Sequence, residues 1–308
     1  MTSKAGIVRS TLVVPAANRH MIEKAATMPA DVVCLDLEDS VVEAKKAESR
    51  GNVVWALTEI DWGRRSVGYR VNGLDTPWFY RDLIDVVERA GGRLSLVVIP
   101  KVSEASDIKT VDTLLGQIEQ AMGLERGGIR IHAIIEGASG VLNAGQIAAS
   151  SSRLAALIFG PGDFASSMKM PSSAIGAIDE WDEAYGGQRN HYPMMQIAVA
   201  GRSAGVQLID GPMANFRDAD AFRQSCLRAR ALGYNGKWCI HPSQITMANE
   251  IFSPTSEEIA WAQRVVDAYR QASGTGVGAA SIDGTMIDVA SIRMAETTLE
   301  LAVDLGLA

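Results

Sequence analysis

The sequence predicts an α/β chain: a (β/α)8 TIM barrel with a C-terminal helical extension. Three observations carry that expectation. Eight apolar runs recur along the chain, with helical stretches between them. Strands alternating with helices of roughly 10–15 residues predict a parallel sheet, and eight repeats over about 240 residues match a closed βα barrel in size. A doubly wound open sheet is the competing architecture. It is weakened because VVPAANR stands after the first run, where a GxGxxG turn would be expected.

The runs are Thr11–Pro15, Asp31–Leu37, Val67–Val71, Leu94–Pro100, Ile129–Ile135, Leu154–Phe159, Gly205–Ile209 and Lys237–Ile240. HPSQITMANEIF then reads as the last barrel helix, which puts the catalytic barrel at residues 1–252. Residues 253–308 read as a helical lid. Pro254 breaks the preceding helix, and Ser256 with Glu258 close behind opens a long amphipathic helix through about Ala272. GTGVGA at Gly274–Ala279 reads as a flexible linker, followed by DGTMID and a final helix from about Val289 to Leu305. This tail carries more apolar surface than one barrel wall can cover, so it is expected to cap its own or a neighbouring subunit.

Composition bounds the function. With 308 residues, 47% of them hydrophobic and 21% charged, the chain can bury a large core without disulfides. Cys34, Cys226 and Cys239 are odd in number and lack CxxC or CxxH spacing, which points to a reducing compartment and away from structural zinc. The net charge is −7 and no basic run exceeds two residues, so neither nucleic acid nor an anionic membrane is expected as a partner. No apolar signal core stands at the N-terminus, and no window approaches the roughly 18 apolar residues of a membrane span. The expected location is cytoplasmic.

In a βα barrel the chemistry sits at the carboxyl ends of the strands. Here Asp36, Glu38 and Asp39 end the second run, Arg70 and Asn72 the third, Lys101 the fourth and Glu136 the fifth. Asp163, Asp210 and His241 end the sixth, seventh and eighth. Glu136 in IIEG and Asp163 in FGPGDF fall on neighbouring strands, so the two acids face one another and need a cation or a shared proton between them. The plainer reading is that both cap loops.

Carboxylate ligands suit a hard cation, Mg²⁺ or Mn²⁺. His20, His132, His191 and His241 show no metal-binding spacing, which disfavours a zinc site. Lys101 is the one candidate for a Schiff base, but a lysine among so many acids should stay protonated and poorly nucleophilic. Arg70, in an apolar strand, requires an anionic partner. That partner is a substrate oxygen, or Glu38 or Asp39 in a structural salt bridge, and the two roles can coexist.

At these residues the chain resembles the malyl-CoA lyase and citrate lyase β-subunit group of Mg²⁺-dependent carbon–carbon lyases. The resemblance runs from Arg9 to about Glu296 and rests on RSTLVVP, EKAATMPADVVCLDLEDSV, RVNGLDTPWFYRDL, VIPKV, IIEGASGV, FGPGDFASSM, DGPMANFRD, GYNGKWCIHPSQITMANEIF and DGTMIDVASIRMAE. KWCIHPSQ, ANEIF and IDVASI look closer to malyl-CoA or β-methylmalyl-CoA lyases than to the citrate lyase subunit.

The resemblance implies that Glu136 and Asp163 bind Mg²⁺, with Mn²⁺ as a substitute, and that Arg70 stabilises a thioester enolate oxygen. Glu38 and Asp39 would support Arg70. Asp288 would exchange the proton on the enolate carbon and come from the tail of an adjacent subunit in a homotrimer or homohexamer. Val13, Lys24, Gly162, Ile240 and His241 match positions that contact CoA or the acyl group, and Arg19 would reach a phosphate. Two departures stand out: IIEGASGV replaces the commoner ETARG type, and the family's basic residue after the first strand falls on Asn18 in strict register, beside Arg19.

The implied substrates are a small acyl-CoA and a 2-oxo acid. Malyl-CoA or β-methylmalyl-CoA would give acetyl-CoA or propionyl-CoA plus glyoxylate. Citramalyl-CoA or citryl-type cleavage, thioester hydrolysis and a non-catalytic partner subunit are the alternatives.

Overall fold

A computed structural model describes residues 6–274 and 280–308. The chain divides into two compact units, residues 1–249 and 250–308. In the first, eight parallel strands close into a barrel: β1 Ser10–Pro15, β2 Val32–Asp36, β3 Ser66–Arg70, β4 Leu96–Ile99, β5 Arg130–Ile135, β6 Leu154–Phe159, β7 Gln207–Asp210 and β8 Gly236–Cys239. Each strand pairs with the next, and β8 returns to β1 through Thr11 opposite Trp238. All eight coincide with the apolar runs of the sequence to within about two residues.

The strands form where they do because β-branched and large apolar side chains fill both faces. β2 and β6 are buried along their whole lengths, as expected where helices cover the outside and side chains fill the inside. The interior is occupied by Val32, Cys34, Val98, Ile134, Ile158 and Trp238 among others. Amphipathic helices cover the outside, for example Phe79–Ala90 and Ala105–Met122. The latter is closed by an αL glycine at Gly123.

The last barrel segment is a 3₁₀ turn at Pro242–Gln244 running into a helix at Ile245–Ile251, where HPSQITMANEIF was read as helical. The second unit holds helices Ser256–Gly274 and Val289–Asp304 and a short antiparallel hairpin, Ala280–Ile282 with Thr285–Ile287. Its small core joins Ala262, Val265, Val266, Ile282, Ile287 and Ala295. The hairpin was not foreseen: DGTMID supplies the turn at Asp283 and Gly284, both with positive φ, and one of its strands. Most of the glycine-rich stretch read as a linker, residues 275–279, lies outside the described residues. Among the described residues no helix is long and apolar enough to cross a membrane.

Candidate active site

Strand periodicity places the charged groups. Val32 and Cys34 point into the barrel, so two residues on, Asp36 enters the mouth at the carboxyl end of β2. Arg70 stands opposite it on β3, its direct register partner. Ile134 faces inward on β5, and the same alternation brings Glu136 to the rim. Asp163 lies in the first turn of the helix Pro161–Ser167 that follows β6. Gly160 makes room for this arrangement: a side chain there would begin 2.5 Å from the Glu136 carboxylate.

Arg70 is held mainly by an acid that sequence reasoning set at a strand end and did not assign to it. Its Nε donates to Asp36 Oδ1 at 2.6 Å and its Nη2 to Oδ2 at 2.7 Å, a bidentate pair in which both residues are buried. Ser40 donates to the same carboxylate through its hydroxyl at 2.6 Å. Glu38 and Asp39, the expected partners, are also present, with Oε2 and Oδ2 at 2.6 and 3.2 Å from Nη1. Burial works against the charge of Asp36, but Arg70 outweighs it and holds the carboxyl below its ordinary range. Burial likewise opposes the charge on Arg70, and Asp36 and Glu38 more than compensate. The signal for Asp36 was available in principle, as the residue two positions after an inward cysteine.

Lys101 links this cluster to the facing carboxylates. Its φ of +55° is left-handed, unusual for a residue with a side chain. In that conformation its N–H donates to Glu136 Oε1 at 2.8 Å, while its ammonium lies 3.0 Å from Glu38 Oε1. Burial would lower its pKa, but Glu38 raises it above the ordinary lysine value, which removes the nucleophile a Schiff base needs.

Beneath the loop, buried Lys46 donates to the carbonyls of Leu37 and Glu38, both at 2.7 Å, and to Asn72 Oδ1 at 2.5 Å. All three ammonium hydrogens are used, so the exits of β2 and β3 are tied together. Lys46 was not recognised from sequence, since it lies on the outer helix Lys46–Glu59.

Glu136 is 6% exposed, and burial, followed by the charge of Asp163, pushes its carboxyl up to about 8. Five carboxylates, Asp36, Glu38, Asp39, Glu136 and Asp163, face two cations, Arg70 and Lys101. The excess of negative charge and the all-oxygen donor set fit a hard dication between Glu136 and Asp163. Among the described residues no three His, Cys, Asp or Glu side chains gather to hold a metal, so such an ion would leave its other positions to water and substrate.

Asp36, Asp39, Arg70, Glu136 and Asp163 line a cavity of about 410 Å³, together with Val13, Gly162, Trp238 and Ile240. A second cleft of about 230 Å³ shares Val13 and Ile240 as a wall and is lined by Lys24, His20, Met21 and His241. His241 is held by Ser243, 2.8 Å from Nδ1, and stacks on Phe216 at 4.5 Å between ring centres. Val13, Lys24, Ile240 and His241 therefore come together.

Arg19 stands apart from them. Its Nε donates to Asn52 Oδ1 at 2.7 Å and its guanidinium lies over Trp55. Asp288 belongs to the second unit, where it caps the helix Val289–Asp304 by accepting from the N–H and hydroxyl of Ser291. Those hydrogen bonds hold its carboxyl below the ordinary value. Asp210 is taken up by an ion pair with the fully buried Lys237.

Residues 9–242 match the family model described as HpcH/HpaI aldolase/citrate lyase. The chain is 40% identical over 300 residues to an L-malyl-CoA/β-methylmalyl-CoA lyase of Cereibacter sphaeroides, covering 96% of this chain and 94% of that one. It is 34% identical to a (3S)-malyl-CoA thioesterase of the same species, covering 98% and 97%. Among solved structures it is similar to CitE of Mycobacterium tuberculosis in complex with magnesium, acetoacetate and coenzyme A, with a TM-score of 0.75, 28% identity and coverage of 97% and 99%. A model match over three quarters of its length and close relatives over nearly all of it agree with the closed eight-stranded barrel, and the chain belongs to the HpcH/HpaI aldolase/citrate lyase family.

Proposed function

We propose that the protein is a dication-dependent carbon–carbon lyase that cleaves or forms a β-hydroxyacyl-CoA such as malyl-CoA or β-methylmalyl-CoA, with glyoxylate as the 2-oxo acid. One observation carries the reading: the Glu136–Asp163 carboxylates and the anchored Arg70 line one cavity. The similarity to a malyl-CoA/β-methylmalyl-CoA lyase and to a magnesium- and CoA-bound structure supports it.

Glu136 and Asp163 would hold Mg²⁺, or Mn²⁺ in its place, which supplies Lewis acidity to the hydroxyl and carboxylate oxygens of the substrate. Arg70 presents a fixed positive charge to the thioester oxygen as negative charge develops there. Asp36 orients its guanidinium, so little reorganisation is needed during the reaction. Val13 and Ile240 form the wall along which the thioester arm would pass, with Lys24, Gly162 and His241 as further contacts for CoA or the acyl group; Arg19, its Nε held by Asn52, would meet a phosphate through its other N–H groups. Asp288 would carry the proton to or from the enolate carbon, contributed by a neighbouring copy. The second unit thus serves as a lid in a cytoplasmic homotrimer or homohexamer.

The test is product identity from malyl-CoA, β-methylmalyl-CoA and citramalyl-CoA, with Mg²⁺ and with EDTA. Mg²⁺-dependent glyoxylate supports the proposal, and pyruvate moves the protein to citramalyl-type cleavage. Free CoA without a 2-oxo acid makes it a thioesterase, the activity named for the 34%-identical relative.

A further inference from the structure

The connection from Ser167 to His191 is long, yet it is fastened at several points. Arg189 donates to the Pro171 carbonyl and to Asp179, each at 2.7 Å, and Asp179 caps the helix Glu180–Tyr185. Further along, the Ile175 carbonyl accepts from Ala214 N–H at 3.1 Å. The Gly176 carbonyl accepts from Ser225 Oγ at 2.9 Å, and Ser225 Oγ in turn accepts from Lys237 Nζ at 2.8 Å. Lys237 is fully buried and paired with Asp210, so this chain of contacts starts in the barrel itself. Gly176 has φ +77° and lies so close to the Pro212 carbonyl that a side chain would collide with it. Only glycine allows the segment to sit this low.

What this fastening presents is Ile175. Its side chain is 45% exposed, so it contributes little as core, yet its backbone is fixed on both sides. It lines the cavity with Glu136 and Asp163, and its branched end stands over Gly162, the residue before Asp163. A large apolar side chain on an anchored backbone, placed beside Glu136 and Asp163, restricts the volume of the cavity there.

We propose that Ile175 is a specificity-determining residue. It limits the substituent on the substrate carbon whose oxygen would face Glu136 and Asp163, favouring hydrogen, as in glyoxylate, over methyl, as in pyruvate. The proposal rests on the lyase reading above.

The experiment measures kcat/KM for condensation of acetyl-CoA with glyoxylate and with pyruvate, and of propionyl-CoA with glyoxylate, for wild type, Ile175→Val and Ile175→Ala. The pyruvate-to-glyoxylate ratio should rise at least about tenfold in Ile175→Ala, the range expected for one methyl group in an apolar pocket, with Ile175→Val between. Because the readout is a ratio within one preparation, a general loss of stability does not move it. A ratio unchanged within about twofold overturns the assignment, as does a shift confined to the acetyl-to-propionyl preference. A wild-type enzyme that condenses neither 2-oxo acid refutes the lyase reading itself, and this inference with it.

Discussion

Binding of Mg²⁺ should be coupled to loss of a proton from Glu136. In the metal-free protein that carboxyl is pushed up to about 8 by burial and by Asp163, from an ordinary value of 4.5. A dication needs the carboxylate, so binding at low pH must first remove the proton. With a pKa of about 8, roughly 1% of the sites are ionised at pH 6 and about 10% at pH 7. The apparent Kd should then weaken about 50-fold between pH 8 and pH 6, equivalent to about 2.3 kcal/mol. An ordinary glutamate would give almost no change over that interval.

Isothermal titration with MgCl₂ in buffers of different ionisation enthalpy reads both quantities, and at pH 7 close to one proton should be released per ion bound. Glu136→Gln should abolish the proton release and weaken binding. A Kd constant within about twofold from pH 6 to 8, with no proton released, would refute the account of Glu136 as a carboxyl raised by burial and by Asp163.

The same shift fixes the sign of a stability effect. As pH rises, the unfolded chain gives up this proton near 4.5 while the folded chain retains it until about 8. The contribution of Glu136 to stability is therefore lost across that window, and Mg²⁺ should raise the melting temperature more at pH 8 than at pH 6. Asp36→Asn places an amide among groups that all donate hydrogen bonds and takes from a buried arginine its bidentate partner, leaving it only Glu38 and Asp39. It should cost about 3–5 kcal/mol in urea denaturation, and a cost under about 1 kcal/mol would exclude Asp36 as the anchor. Arg70→Ala should lower turnover on the order of 10²–10³-fold with Mg²⁺ affinity little changed, and near wild-type turnover would remove Arg70 from the chemistry. Asp288→Ala should abolish turnover while Mg²⁺ binding persists. If the aspartate comes from a neighbouring copy, mixing subunits of Asp288→Ala and Arg70→Ala should restore about a quarter of the activity, and no recovery would place both residues in one chain's site.

The barrel was legible because each strand is a short apolar run bounded by polar residues, and closure follows from the number of such runs. Site legibility depended on how each residue is held. Glu136, Asp163 and Arg70 could be picked out because a charge at, or within a few residues of, the carboxyl end of an apolar strand has few uses in a core. The Asp36–Arg70 pair was harder to read, since Asp36 lies within three residues of Glu38 and Asp39 and only strand alternation and register select among the three. Lys46 was hidden for a different reason: a lysine on an outer helix is ordinarily solvated, and its inward path to Leu37 and Glu38 is a tertiary event. Arg19 shows the reverse, a basic residue one position beyond the expected register whose guanidinium is engaged by Asn52 and Trp55. Ile175 lies far along a loop whose seat is set by Gly176 and Ser225, neither of which marks itself in the sequence.

The wall of Val13 and Ile240 shared by the two clefts has a consequence for how the protein would tell carrier-bound acids from free ones. A ligand long enough to straddle that ridge gains contacts in the Lys24–His241 cleft that lie away from the reacting bond. A short free acid reaches the same carboxylates without them. Attraction gathered on the far side of the ridge can be spent on holding the near end in a reactive pose, so shortening the thiol arm should lower kcat as well as weaken KM. The ridge would then act as a ruler, making catalytic rate depend on the length of a group that takes no part in the chemistry.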